Sequence, residues 1–429
     1  MIKASRKRGF FFYLYFMKPA YIYLISLFII PLLPNAMSID VIGVHWFALS
    51  ILNSAYTLYF LIFHKVFSLK SFLNFKPYIF LSFFIFFCAI SLIFTRNINL
   101  SIVDFSRVLN IFLSIIFLTN LFKDKINFYN ISLIFSFFLI VDLITTYLPY
   151  INLSLKSSTS FLNLLSNNFD PAYLKGFTGN KNINAAYILI KVPFLLYFIS
   201  NSKHLFYKFF SSFLLLLIIT TIFLIKSRAA YLSLFCISFF FTFYSFIYQR
   251  RNLIFIPIFI FGFLFSSFIL QNTKSSSVIN EVKSIQFSDA SSQGRLSLWE
   301  NTLEASLSNN FIGLGIGSWK IESLPYWNKN GTDYMVPYHA HNDFLELLTE
   351  IGLFGSLAYL LIFLYSFYLI FSSFLKSKSL IDLCIFSSLL VYFIDANLNF
   401  PLERYTMQFI FAFLMFLIHN TYEKNKINY

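Results

Sequence analysis

The chain has 429 residues, 58% of them hydrophobic and only 12% charged, with a mean hydropathy of +0.72. A soluble domain is about one quarter charged, so this balance excludes a cytosolic nucleotide enzyme, a disordered chain, a coiled coil and a disulfide scaffold. The formal charge of +14, from 32 Lys and Arg against 18 Asp and Glu, would suggest nucleic acid in a soluble protein. In lipid it is a topological signal, because cytoplasmic loops collect Lys and Arg, and no nucleic-acid partner is expected. Cys88, Cys236 and Cys384 lie far apart inside apolar segments and give neither a disulfide framework nor a thiolate metal site.

In chain order, the basic start (Lys3, Arg6, Lys7, Arg8) runs into a long apolar stretch without a small-residue cleavage site, so no cleavable signal peptide is expected. About 20 apolar residues span a bilayer as a helix. Twelve such segments are read at 20–37, 41–63, 77–95, 100–122, 127–149, 182–200, 206–225, 229–248, 252–270, 343–372, 380–398 and 404–419. The expectation is an all-α polytopic membrane protein, one membrane domain over residues 1–429 with about twelve transmembrane helices.

Charge sets the orientation. With the first terminus in the cytoplasm, the inside segments hold Lys3, Arg6, Lys7, Arg8, Lys18, Lys65, Lys70, Lys76, Lys123, Lys125, Lys203, Lys208, Arg250, Arg251, Lys376, Lys378, Lys424 and Lys426, 18 in all. The short outside turns hold 4: Arg96, Lys226, Arg228 and Arg404. This bias over short loops predicts both termini in the cytoplasm. Two long loops, about 150–181 and about 271–342, then lie on the outer face, and loops of that length are commonly functional. Leu296, Trp299, Leu303 and Leu307, spaced by three and four, predict a short amphipathic helix at the membrane surface in the second loop. No inverted repeat of the transporter kind is visible.

Polar clusters collect on the outer face. Gly176-Phe-Thr-Gly179-Asn180-Lys181-Asn182-Ile-Asn184 reads as a turn into a helix with an Asn cap or as a ligand-contacting loop. Lys226-Ser227-Arg228 separates two apolar runs, an outer-leaflet Arg that snorkels or serves the chemistry. Gly294-Arg295 opens the amphipathic helix, where an Arg opposes the helix dipole. Gly313-Leu-Gly315-Ile-Gly317 is not a nucleotide fingerprint, since no strand or βαβ unit surrounds it; it is a turn, or a backbone approaching a ligand. Tyr338-His339-Ala-His341-Asn342-Asp343-Phe-Leu-Glu346 invites a metal, but Phe344 stands where a further ligand belongs, so no metal is expected. A single His accepting a proton fits better, with its reference pKa of about 6.5.

The order of these motifs, with Gly352-x-x-Gly355 after them, resembles the O-antigen ligase/polymerase superfamily, bacterial inner-membrane glycosyltransferases that use undecaprenyl-diphosphate-linked glycans. The likeness covers roughly residues 170–360 in motif order. One departure is Ala229, where the family more often has Gly. The resemblance implies a metal-independent, cofactor-free, inverting transfer at the periplasmic face of the inner membrane. Guanidinium groups hold phosphate bidentately and stay charged, so Arg228 and Arg295 are the candidate diphosphate clamp. His341 is the candidate general base; His339 orients it or caps the next helix; Asn342 and Asn180 are candidate substrate contacts. Arg404 is either a third cation near the diphosphate or a helix anchor. Partners implied are the undecaprenyl-diphosphate-linked glycan donor, a lipid A–core or lipid-linked acceptor, and membrane lipid. The favoured activity is O-antigen ligase, with O-antigen polymerase as the alternative and a transporter or flippase as the less favoured class.

Inside the spans, Asp104 and Arg107 are three apart on one helical face and are expected to pair. Lys191, next to Pro193, and Asp142 have no local partner in sequence.

Overall fold

The computed structural model describes residues 19–34, 41–63, 74–122, 126–157, 170–271, 290–309, 311–327 and 338–427. The basic start through Lys18, Lys65, Lys70, Lys123, Lys125 and loop segments 158–169, 272–289 and 328–337 lie outside the described residues.

The described residues are helical, with no strand among them. The helices are α1 (Pro19–Ile29), α2 (Val41–Ile62), α3 (Lys76–Ser91), α4 (Ile98–Leu121), α5 (Phe128–Ser157), α6 (Lys181–Leu189), α7 (Val192–Asn201), α8 (Leu205–Ile225), α9 (Arg228–Ile247), α10 (Phe255–Gln271), α11 (Ala290–Ser308), α12 (Asp343–Ser377), α13 (Leu380–Leu398) and α14 (Tyr405–Ile427). Among them, eight segments are long and apolar enough to cross a membrane, with α6 and α7 joined as one. This is a helical, multi-pass arrangement; all twelve apolar segments contain helix, though α1 and α3 are short. Local chemistry sets the starts. Asn97, Asn180, Asn342 and Ser379 each accept from backbone N–H groups of the first turn of α4, α6, α12 and α13, satisfying donors that the helix leaves open.

Three differences from the expected elements matter. First, α5 runs to Ser157 through Pro149, so the loop expected from about residue 150 begins as helix; the Tyr150 hydroxyl donates to Asp170 O (2.6 Å) and accepts from Asp170 N (2.9 Å). Second, the sixth span is broken. Lys191 is the N-cap of α7 and Pro193 sits in its first turn, since proline lacks the N–H that would continue the ladder. Lys191 and Asp142, partnerless in sequence, form a fully buried ion pair with each other, and the Lys191 ammonium lies 3.2 Å from the Tyr187 ring centroid. Third, α11 starts at Ala290, so Gly294 and Arg295 stand in its second turn and the unfavourable-dipole argument for Arg295 falls away. The residues α11 buries are Leu298, Thr302, Ala305 and Ser306, whereas Leu296, Leu303 and Leu307 are exposed. Small residues on the inner face let α11 approach α12, where Ser306 Oγ and Thr349 Oγ1 are 2.8 Å apart.

Helix α12 breaks at Gly352 (φ +77°). Leu353 N donates to Phe311 O (3.0 Å) instead of continuing the helix, and the freed carbonyls of Thr349 and Glu350 accept from Leu314 N (3.0 Å) and Gly315 N (2.8 Å). The glycine-rich loop 313–317 therefore laces into the break, as buried backbone groups must be paired. Gly317 (φ +74°) has no room for a side chain: a Cβ there would lie 1.9 Å from Asp104 Oδ2. Of the two readings of this loop, turn or ligand approach, the structure gives a turn whose glycines admit close packing on α4 and α12.

Candidate functional site

The expected Asp104–Arg107 pair is present (2.6 Å) and is one corner of a larger cluster. Arg107 also contacts Glu403 (3.0 Å), and Lys320 lies 3.6 Å from Asp104. Burial alone would raise the Glu403 carboxyl, but His339, Arg107, Lys320 and Arg404 together hold it below its ordinary value. This network pins the 3₁₀ turn Pro401–Glu403 between α13 and α14. The turn carries Phe400 on one side and Arg404 on the other.

Phe400 is the hub of the site. His339 stacks on its ring (centroids 4.2 Å, 17° between planes), His341 meets it edge-on (5.0 Å, 77°), and the Arg404 guanidinium lies 4.9 Å from its centroid. Three residues singled out in the sequence thus surround one aromatic ring that was not. The 338–342 loop is held from a second direction by Glu346, in the first turn of α12. Its carboxylate meets His339 Nδ1 (3.1 Å) and accepts from Ala340 N (2.7 Å). A third tie comes from α11, where Trp299 Nε1 donates to Ala340 O (3.1 Å). The two residues flanking His341 on its N-terminal side are therefore fixed by three elements, while His341 itself adopts φ +53°. A left-handed non-glycine residue costs of order 1 kcal/mol and persists only where its surroundings over-determine it.

The two histidines have opposite electrostatics. Burial pushes His339 down, but the Glu346 and Glu403 carboxylates outweigh it, and the net shift is upward. His341 is pushed down to about 4 by burial, then by the Arg295 and His339 charges. At neutral pH His341 is an unprotonated imidazole. Its Nδ1 is buried with no hydrogen-bond partner among the described residues, so no carboxylate fixes its tautomer as Glu346 does for His339. The charge of Arg295 acts on both His341 and Asp395 of α13, so the expected arginine of α11 lies within electrostatic reach of the expected base.

Asn342 caps α12 through Phe344 N (3.0 Å) and Leu345 N (3.1 Å) and donates to Asn397 O (3.2 Å). The helix cap considered for His339 is thus made by Asn342. Asn180 caps α6 through Asn182 N (2.8 Å) and Ile183 N (3.4 Å), the Asn cap considered among its readings. Arg228 is half-buried in the first turn of α9, which packs on α6 and α13. It shares one end of the bundle with His341, Arg404 and Asn180 because successive helices alternate in direction.

Two residues of the site had no role assigned from the sequence, although Glu346 closes the histidine cluster. Glu346 stands where the helix dipole alone favours a carboxylate, and Phe400 is one of 62 phenylalanines.

Together these features define a polytopic helical protein with a loop-borne histidine, flanking arginines and no nucleotide fold. Residues 213–360 match the family model described as O-antigen ligase, a segment that contains Arg228, Arg295, His339 and His341. The resemblance drawn from motif order is borne out there. The chain is also 30% identical over 135 residues to the ComP-specific O-oligosaccharyltransferase of Acinetobacter baylyi; that alignment spans 32% of this chain and 24% of the relative.

Proposed function

We propose that this chain transfers a glycan from a polyprenyl diphosphate carrier, undecaprenyl diphosphate in bacteria, to an acceptor hydroxyl at the periplasmic face of the inner membrane. The particular activity is O-antigen ligation onto lipid A–core. The observation that carries the reading is a neutral histidine on a fixed, left-handed loop position, His341, beside Arg295 and inside the segment similar to O-antigen ligases.

In this reaction the acceptor oxygen attacks the anomeric carbon as the bond from that carbon to the phosphate oxygen breaks, inverting the centre. The hydroxyl proton passes to His341, and the electron pair leaves with the diphosphate. Developing charge on the leaving group is offset by Arg295 and Arg228, with Arg404 at the edge of the site; positioned cationic donors of this sort supply roughly 10²–10³ in rate. The basicity of His341 is low first because it is buried, and without donor its protonation also adds a second cation within the field of Arg295. A bound diphosphate offsets Arg295 and strengthens the base, so proton transfer is coupled to donor occupancy. His339, whose charged form Glu346 favours, anchors the loop. Asn342 and Asn180 support the site through their helix caps and offer amide edges to sugars.

The test is transfer by purified, reconstituted protein from a polyprenyl-diphosphate glycan. His341→Ala is expected to lose about 10²–10⁴ in rate, and Arg228→Ala and Arg295→Ala each about 10²–10³, while all three still insert. Full activity of His341→Ala removes the base assignment. A second reading draws on the A. baylyi relative, whose name specifies O-oligosaccharyl transfer: the acceptor is then a protein hydroxyl. A deletion strain separates the acceptors. Core without O-antigen and polymer retained on the carrier means ligase, core bearing one repeat means polymerase, and intact lipopolysaccharide with an unglycosylated protein means the second reading.

A further inference from the structure

At the end of α12 remote from His341 lies a cleft of about 410 Å³ between α12 and α14. Its wall includes Tyr365, Ser373 and Lys376 from α12 and Thr421, Tyr422 and Lys426 from α14, with no Asp or Glu among the lining residues. A third lysine, Lys76 at the start of α3, lies 5.0 Å from the Tyr365 ring centroid. Two helices therefore bring cations into one cleft that is also lined by hydroxyls and by Leu369, Ile370 and Ile418, and Lys76 of a third helix stands against its Tyr365 wall. The Asp382 carboxylate behind this wall accepts from Ser373 and Ser377 at 2.7 Å each, so two hydroxyls hold it and it is not itself a lining residue.

Depth and neighbours identify the occupant. On α12, the exposed residues Leu357, Leu361, Leu364, Tyr368, Phe371 and Leu375 are spaced alternately by four and three, one continuous face pointing away from the bundle. That face faces hydrocarbon, and it runs directly into the cleft, since Tyr368 belongs to both. From the Gly352 break to Lys376 the helix rises ~36 Å at 1.5 Å per residue, against a hydrocarbon core of about 30 Å. Lys376 thus stands at headgroup level, where acyl chains along the exposed face would end. Basic pockets between helices at this level suit anionic headgroups, with lysines acting as phosphate-binding point charges.

We infer that this cleft is a binding site for the phosphate headgroup of an anionic phospholipid in the leaflet opposite His341, with its acyl chains lying along the exposed face of α12. The site is separate from the transfer chemistry and stands whether or not the proposed activity does.

The test uses the full-length protein in detergent, incubated with phosphatidylglycerol, with phosphatidylethanolamine, or with inorganic phosphate, and counts bound molecules by native mass spectrometry. Wild type is expected to retain phosphatidylglycerol in preference to phosphatidylethanolamine. The double variant Lys376→Ser/Lys426→Ser is expected to weaken phosphatidylglycerol binding by about 5-fold per lysine without changing phosphatidylethanolamine, and Lys376→Arg/Lys426→Arg to preserve it. Both pairs are exposed, so folding is unaffected, which an unchanged melting temperature without added lipid verifies. Equal retention of the two lipids, or undiminished phosphatidylglycerol binding by the Ser pair, overturns the site. Displacement of the lipid by inorganic phosphate overturns the lipid as its ligand.

Discussion

Removing Glu346 tests how much of the site depends on the geometry of the 338–342 loop rather than on the histidine alone. Its carboxylate makes two contacts, 3.1 Å to His339 Nδ1 and 2.7 Å to Ala340 N. Hydrogen bonds to charged groups contribute about 1.5–3 kcal/mol each. Part of the loss in Glu346→Ala is recovered as the loop relaxes, so the expected loss of loop stability is about 2–4 kcal/mol. That exceeds the ~1 kcal/mol cost of holding His341 at positive φ, and the loop should let His341 relax toward an unstrained conformation. A shift of about 1 Å in a reacting group costs on the order of 10² in rate. Glu346→Ala is therefore expected to lower kcat about 100-fold with donor KM little changed, because the Arg228 and Arg295 side chains are untouched. Glu346→Gln keeps an acceptor for Ala340 N and should fall between. The assay is steady-state transfer by reconstituted protein, alongside thermal unfolding to show that the fold persists. Wild-type kcat in Glu346→Ala would refute the argument that this carboxylate holds the loop; a pure KM effect would assign it to substrate binding instead.

Other perturbations follow from the same geometry. Since His341 must be unprotonated to accept a proton, the acid limb of kcat/KM in wild type should lie near pH 4. Arg295→Gln removes one of the charges that depress it, so the limb should move up toward the ordinary value of about 6.5; a limb that stays in place would detach Arg295 from His341. His339 titrates above its ordinary value, so its positive charge persists to higher pH than that of an ordinary histidine and is lost as pH rises through that raised value, giving a decline in donor affinity that His339→Gln should abolish. Lys191→Met strands the Asp142 carboxylate in a fully buried position and is expected to cost about 3–5 kcal/mol, whereas Lys191→Met/Asp142→Leu should be near wild type; melting temperatures in one detergent read this, and an equally unstable double variant would show that the ion pair itself is required. Gly317→Ala sets a Cβ against Asp104 Oδ2 at positive φ. It should destabilise by about 1–2 kcal/mol from backbone strain alone and, by dislodging Asp104 from Arg107, loosen the turn that carries Phe400; unaltered stability and activity would remove the packing role of that glycine.

Much was legible in the sequence because it is written locally. A bilayer forces each crossing segment to satisfy its own backbone, so apolar runs alone marked the helices, and Asn180 stood where a cap belongs, whereas the sequence offered to His339 the cap that Asn342 makes. Spacing sufficed for Asp104 and Arg107, three apart on one turn. Pairings across the bundle were not legible. Lys191 finds Asp142 only because α7 packs on α5, and the break that frees its backbone comes from Pro193 together with that buried charge. The face α11 buries could not be chosen from its pattern, since Leu296, Leu303 and Leu307 point outward while Leu298 and the small residues Thr302, Ala305 and Ser306 point inward, a choice made by the close approach of α12. The site divides the same way. The histidine loop and Arg295 were identifiable as residues, but their joint arrangement needed Phe400, which carries no mark in the chain, and Glu346, which closes the histidine cluster without a visible role. Hydrophobic periodicity and capping are properties of neighbours in sequence, whereas which ring His339 and His341 share, and which charge sets the basicity of His341, are decided by contacts between residues tens to hundreds of positions apart.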